Sequence, residues 1–255
     1  MHGLYLMAII IMLGYLSVVV VEYMCEHYGI NRNKRVGWTK HLYAIGSILL
    51  GYQDATIWGS GFGYNVSDNI FRKFDAFIHR NYHQLDIRAV RGPETRRILL
   101  QMGLECPEVY GDPAVLMPLI YKKECPIKKE RYVVVPHYSK LQHYKGEEHV
   151  VGTFVTDYRK FIDRIVNAEL VISASLHGII LAEAYGIPAI MLNDTPSEDI
   201  TKYKDWYFST GRKKFPIADC VDDALHMKVQ TLPLSVIQGM QERLIASFPF
   251  DLWKE

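Results

Sequence analysis

Proton-transfer chemistry is most plausible at His177, inside the stretch "VISASLHGIILAEAYGIP" over residues 171–188. An imidazole ionises close to neutrality and suits general acid or base work. Three small residues, Ser173, Ala174 and Ser175, separate an apolar strand-like run from the histidine, and an apolar helix-like run follows it. His177 therefore falls where a strand gives way to a helix, and the free N–H groups of a helix's first turn favour bound anions. Ser173 or Ser175 is equally placed to cap that helix, which is a purely structural role. Glu183, six residues on, reads either as a second polar group of the site or as an exposed helix residue.

Anion-binding groups recur at other strand ends. Arg91 closes the run "RAV" just before Gly92 and Pro93, and a guanidinium there can hold a carboxylate or phosphate through two parallel hydrogen bonds. His137 and Lys140 lie in "PHYSK" at the end of another apolar run, with the makings of a phosphate or acceptor-sugar contact. The run "GSGFG", residues 59–63, follows a strand, and Gly59 and Gly61 let backbone approach an anion as readily as they build a plain turn. Tyr64 occupies the place of a third glycine, so a G-x-G-x-x-G dinucleotide site is poorly supported. The stretch "KYKDWYFSTGRKK", residues 202–214, mixes rings that pack on sugars with bases that hold anions, Arg212 among them, or forms a basic surface loop. No His, Cys, Asp or Glu set has metal-ligand spacing, and no metal is expected.

These residues need elements to hold them. Short apolar strands alternate with helices of about ten residues, which implies parallel sheets flanked by helices. The 255-residue length accommodates two such runs. The expected fold is α/β with two Rossmann-like halves facing a cleft, residues 1–120 and 121–255, joined near the charged stretch "KKECPIKKE". Strand C-termini would line the cleft, which is where open α/β sheets bind ligands. Within this frame Pro93 starts a helix that stops at Gly103, and Tyr158, Phe161, Ile162, Ile165 and Val166 mark the apolar face of another.

Composition excludes some functions. With 29 basic and 28 acidic residues the net charge is +1, so no concentrated basic face for nucleic acid is expected. The four cysteines are far apart, reading as reduced thiols of a cytoplasmic protein and not as a disulfide or zinc framework. Residues 3–21 hold no charge over 19 positions, close to the ~20 a membrane-spanning helix needs. Basic residues follow at Arg32, Lys34 and Arg35, which would leave the bulk of the chain on the cytoplasmic face. A buried strand followed by the apolar start of a helix fits the same pattern.

In order along the chain, "IWGSGF", "AVRGPETRRILLQMG", "GDPAVLMP", "VVVPHYSK", "VISASLHGIILAEAYGIPAIML" and "YKDWYFSTGR" resemble the polysaccharide pyruvyltransferase family. The resemblance covers the chain from about Trp58 to Arg212. It implies a two-domain, GT-B-like fold. It also implies transfer of a pyruvyl group from phosphoenolpyruvate, as co-substrate and with no cofactor, to a sugar of a growing glycan or lipid-linked saccharide. The family's basic-residue-Leu-His motif aligns with Ser175, Leu176 and His177, so Ser175 stands where many relatives carry arginine. An Asn-x-Gly-Asp-like turn after the first strand, usual in the family, is missing from "GYLSVVVVEYMCEHYGI". The resemblance makes His177 the proton-transfer residue, and with Ser175 in the arginine's place Arg91 and Arg212 are expected to hold the donor. His137, Lys140, Ser175 and the Gly59–Gly61 turn add substrate contacts. A GT-B glycosyltransferase with a nucleotide-sugar donor, and a non-catalytic subunit of a polysaccharide assembly complex attached to the inner face of the membrane, are the alternatives.

Overall fold

The computed structural model describes residues 2–31, 34, 36–37, 39, 41–49, 55–63, 85–123, 130–153, 157–195 and 199–253, with side chains described from residue 15 onward. The chain is α/β, with two separate parallel sheets. It divides into two compact units, and the division is not a single cut. One unit comprises Ser17–Pro113, Asp199–Arg212 and Gly239–Glu255; the other comprises Met1–Leu16, Ala114–Glu198 and Lys213–Gln238. The chain crosses first between Leu16 and Ser17 and again between Pro113 and Ala114, the second crossing preceding the charged stretch at 122–130, of which residues 124–129 lie outside the described residues.

The first unit is built on three parallel strands in sequential order, β1 (His41–Tyr43), β2 (Ala55–Trp58) and β3 (Leu85–Ala89). All four residues of β2 are buried, the continuous apolar pattern of a central parallel strand. Helix α2 (Pro93–Gln101) follows β3 with proline at its first turn. It ends at Gly103, whose φ of +76° allows Leu104 N–H to bond Leu99 C=O at 3.1 Å and Gly103 N–H to bond Leu100 C=O at 3.0 Å. That is the left-handed glycine stop expected from the sequence. The last residues of the chain close this unit: Trp58 Nε1 donates to Leu244 C=O at 2.9 Å, and its ring meets Phe248 edge-on at 4.9 Å.

The second unit holds four parallel strands, β4 (Val133–Val135), β5 (Val171–Ser173), β6 (Ala189–Leu192) and β7 (Ile217–Ala218), again in sequential order. The register Val134↔Ile172↔Ile190 puts these three side chains on one face, where they join Leu192, Ala218 and Ala224 in a common core. A short helix, α3 (Met117–Ile120), precedes β4, and between β4 and β5 the helix α4 (Tyr158–Asn167) buries Phe161, Ile162, Ile165 and Val166, the spacing read from the sequence. Each such side chain contributes about 1.5–3 kcal/mol on burial. Asp157 caps the helix by accepting from Arg159 N–H at 3.0 Å.

Helix α5 (Leu176–Ala184) follows β5 and is buried on every side, so Glu183 is no exposed residue but 2% accessible. Gly178 lets it sit close to the sheet: a Cβ there would lie 2.4 Å from Ser173 Oγ and 3.3 Å from Val135 Cβ.

The N-terminal segment forms one helix, α1 (His2–His27), instead of a strand followed by a helix. Leu16, Val20 and Met24, four residues apart, are its buried face. Val18 between them is 45% exposed, so the last third of the uncharged run has one buried face and one open face. Residues 3–14, on which the membrane reading otherwise rests, lie outside the described side chains. Among the described residues no helix is long and apolar enough to cross a membrane.

Candidate functional site

Parallel pairing gives the four-stranded sheet one C-terminal edge, and the loops after β4 and β5 leave it side by side. Val135 pairs in register with Ser173, so the residues after each, 136–140 and 174–177, start about one strand spacing, ~4.8 Å, apart. Four of the expected site residues therefore belong to one edge of one unit: His137 and Lys140 after β4, Ser175 and His177 after β5.

His177 occupies the first turn of α5 and is 5% accessible. Ser175 is the N-cap residue, yet its side chain makes no cap hydrogen bond. The capping role considered for Ser173 is not played either. Its hydroxyl donates to Ser175 C=O at 2.8 Å and accepts from Ser175 N–H at 3.0 Å, which fixes the turn without capping the helix, whose Gly178 N–H bonds Ser175 C=O at 3.1 Å. His137 caps the 3-10 turn Tyr138–Tyr144, with Nδ1 2.7 Å from Ser139 Oγ and 3.4 Å from Ser139 N. Lys140 donates its backbone N–H to His137 C=O at 2.8 Å, and its half-buried side chain forms no ion pair among the described residues. This edge combines an imidazole, an ammonium group and a helix N-terminus without a side-chain cap, a set suited to a small phosphorylated acid.

Arg91, expected to hold an anion, is enclosed by protein partners. Its side chain is 0% exposed, and every described partner is internal. Nε donates to Asp205 Oδ2 at 3.1 Å, one terminal nitrogen donates to Ser47 Oγ at 2.7 Å, and the other donates to Phe62 C=O. Asp205, on α6 (Thr201–Ser209), also accepts from Thr95 N–H at 2.9 Å and Thr95 Oγ1 at 2.7 Å, capping α2 where Gly92 has no side chain to do so. Burial pushes the Asp205 carboxyl up, and Arg91 and Thr95 pull it back. Gly92 is required for this approach, because a Cβ would lie 1.9 Å from Asp205 C=O.

The glycine turn proves to be packing as well. Gly59 has φ +92° and a Cβ there would meet Pro113 Cδ at 2.3 Å; at Gly61 it would meet the Arg91 guanidinium carbon at 2.6 Å. The turn's amides already have acceptors: Gly59 N–H bonds Ala89 C=O, Gly61 N–H bonds Gly46 C=O, and Phe62 N–H bonds Thr95 Oγ1. An anion cradle at Gly59 and Gly61 would have to break these bonds. The "KYKDWYFSTGR" stretch is also recast. Tyr203, Asp205, Trp206 and Tyr207 are buried in α6, so the rings are core and not a sugar platform. Arg212 stacks over Tyr207 with its guanidinium carbon 4.4 Å from the ring centre and donates to Thr210 Oγ1 at 2.8 Å. Arg91, Arg212, Gly59 and Gly61 all belong to the three-stranded unit, and His177 belongs to the four-stranded one.

Asp205 is a residue the sequence reading passed over. The one signal for it was an acid set between aromatics in "YKDWYF", which in a buried helix demands a cationic partner.

Comparison with known proteins agrees with the sequence resemblance. The family described as polysaccharide pyruvyl transferase matches residues 18–196, well over half of the chain, and that span contains Gly59, Gly61, Arg91, His137, Lys140, Ser175 and His177 but not Arg212. The chain is similar to a succinoglycan biosynthesis protein, ExoV, of Rhizobium meliloti (strain 1021), with 29% identity over 160 residues. The alignment covers 60% of this chain and 46% of that protein, so the chain spans about half the length of this curated relative.

Proposed function

Since the chain belongs to the polysaccharide pyruvyl transferase family, we propose that it transfers a pyruvyl group from phosphoenolpyruvate to a sugar of an exopolysaccharide precursor, closing a pyruvate ketal on two hydroxyls. The reading is carried by the β4–β5 edge, where His177 lies at the head of α5 beside the loop bearing His137 and Lys140. Lys140 and the leading amides of α5 bind the phosphate and carboxylate of the donor. His177 delivers a proton to the methylene carbon, which becomes a methyl group and leaves C2 electrophilic. One sugar hydroxyl adds to C2, the C2–O bond to phosphate breaks with its electron pair going to phosphate, and a second hydroxyl closes the ketal. Of the two protons the hydroxyls lose, one restores His177 and the other leaves on phosphate. The anion contacts expected of Arg91 and of the Gly59–Gly61 turn have no part in this scheme.

The deciding experiment supplies phosphoenolpyruvate or a nucleotide sugar together with a glycan acceptor and measures which phosphorus product forms. Inorganic phosphate released from phosphoenolpyruvate only when acceptor is present supports pyruvyl transfer. Nucleoside diphosphate release with phosphoenolpyruvate left intact would establish a glycosyltransferase instead.

A further inference from the structure

The C-terminal edge of the four-stranded sheet has two chemically opposite ends. The β4–β5 end carries His137, Lys140 and His177. The β6–β7 end carries carboxylates: Asp194 two residues after β6, half-buried, and Asp219 directly after β7, exposed. Neither carboxylate has a basic partner among the described residues. Asp194 instead accepts from neutral groups, Thr195 Oγ1 at 3.0 Å and the Tyr144 hydroxyl at 3.5 Å, while Asn193 Nδ2 donates to Asp219 Oδ1 at 3.0 Å.

The Tyr144–Asp194 contact joins the loop after β4 to the loop after β6, and β5 lies between those two strands in the sheet. It therefore flanks the turn where β5 hands over to His177. The Tyr144 ring packs on the sheet's Val134–Ile172–Ile190 core, which fixes its position. Burial first, and then the Asp194 charge, push its phenol above the ordinary value, so it remains a donor. At 3.5 Å its bond to Asp194 is long, and a better-placed hydroxyl can replace it.

Charge decides what such an end accepts. Phosphoenolpyruvate carries several negative charges, and a carboxylate close by repels each of them. A sugar hydroxyl donates to the same carboxylate in a charge-assisted hydrogen bond, stronger than one between neutral groups. The anionic donor is thus directed to β4–β5 and the neutral polyol to β6–β7, with their loops about one strand spacing, ~4.8 Å, apart. We propose that Asp194, flanked by Asn193 and Tyr144, is the acceptor-sugar subsite, with Asp194 accepting a hydrogen bond from the hydroxyl that attacks C2 of phosphoenolpyruvate. This assignment rests on the pyruvyl-transfer reading and extends it to the second substrate.

Two binding measurements on the full chain separate the assignment from the reading beneath it. Phosphoenolpyruvate binding is followed by broadening of its phosphorus resonance, and acceptor binding by saturation transfer to methyl galactoside and methyl glucoside with phosphoenolpyruvate present. Asp194→Asn, checked for an unchanged melting temperature, is expected to weaken hexoside binding at least tenfold and to leave phosphoenolpyruvate affinity within twofold. Lys140→Met is expected to do the reverse. Hexoside binding unaltered by Asp194→Asn and by Asp194→Ala overturns the acceptor assignment, as does wild-type protein that transfers no saturation to either hexoside. Wild-type protein that fails to broaden phosphoenolpyruvate at all instead contradicts pyruvyl transfer itself.

Discussion

At Arg91, location and role diverge. A guanidinium at a strand end suggests an anion ligand, but this one is enclosed with Asp205, Ser47 and Phe62 and has no exposed surface. Removing one member of such a pair leaves a buried charge uncompensated, so Arg91→Met is expected to cost about 3–5 kcal/mol in denaturant unfolding. Replacing both, Arg91→Met with Asp205→Leu, is expected to recover only part of that loss, because the desolvation cost of both charges disappears but the α2 cap that Asp205 gives Thr95 goes with it. If the refolded double variant bound phosphoenolpyruvate at least tenfold more weakly, Arg91 would be a ligand after all. Cysteine reactivity offers a second residue-scale expectation. Burial pushes the Cys106 thiol up to about 11, so at pH 7.5 almost none of it is thiolate, whereas Cys220 is exposed. Brief alkylation followed by peptide mapping should label Cys220 well before Cys106, with Cys106 labelling rising as the pH approaches its raised value. Equal labelling of both at neutral pH would mean the 106 region is open in solution.

The elements that carry the site are held by close approaches as much as by apolar burial. Gly178 brings α5 onto β4 and β5, and a methyl group there would collide with Ser173 Oγ at 2.4 Å. Gly178→Ala is therefore expected to destabilise the fold by about 1–3 kcal/mol. It should lower turnover further in the fraction that remains folded, because it lifts the helix turn that places His177. Unchanged stability and turnover in that variant would show that the helix has room to move. Much at this scale was legible from sequence. The apolar spacing of Tyr158, Phe161, Ile162, Ile165 and Val166 gave α4, the Pro93 and Gly103 signals gave α2, and the short apolar runs gave β2 through β6. What local pattern does not encode is long-range partnership. Arg91 and Asp205 are 114 residues apart, and the close contacts at Gly59, Gly61 and Gly92 are made with segments whose arrival no local signal announces.

Over the whole molecule, the chain was expected to divide once, and it divides several times. Alternating strands and helices reveal two sheets, but they carry no information about the return of 199–212 and 239–255 to the first unit. That return explains why the aromatic stretch with Asp205 is core: it belongs to the unit of Arg91, not to the unit of the flanking strands β6 and β7. The candidate residues divide between the two units for the same reason. His137, Lys140, Ser175 and His177 follow strands that pair in sequence order, so local reading places them together, while Arg91, Arg212, Gly59 and Gly61 fall in the other unit.

The central claim, that the β4–β5 edge performs pyruvyl transfer through His177, meets its most direct test in single-turnover kinetics with phosphoenolpyruvate labelled at C2 and a glycan acceptor. The account expects the label to appear as a ketal carbon with one phosphate released per ketal. It further expects His177→Ala to slow that step by about 10²–10⁴-fold while phosphoenolpyruvate affinity changes by less than about threefold. Ketal formation at an undiminished rate in the folded His177→Ala variant would contradict it.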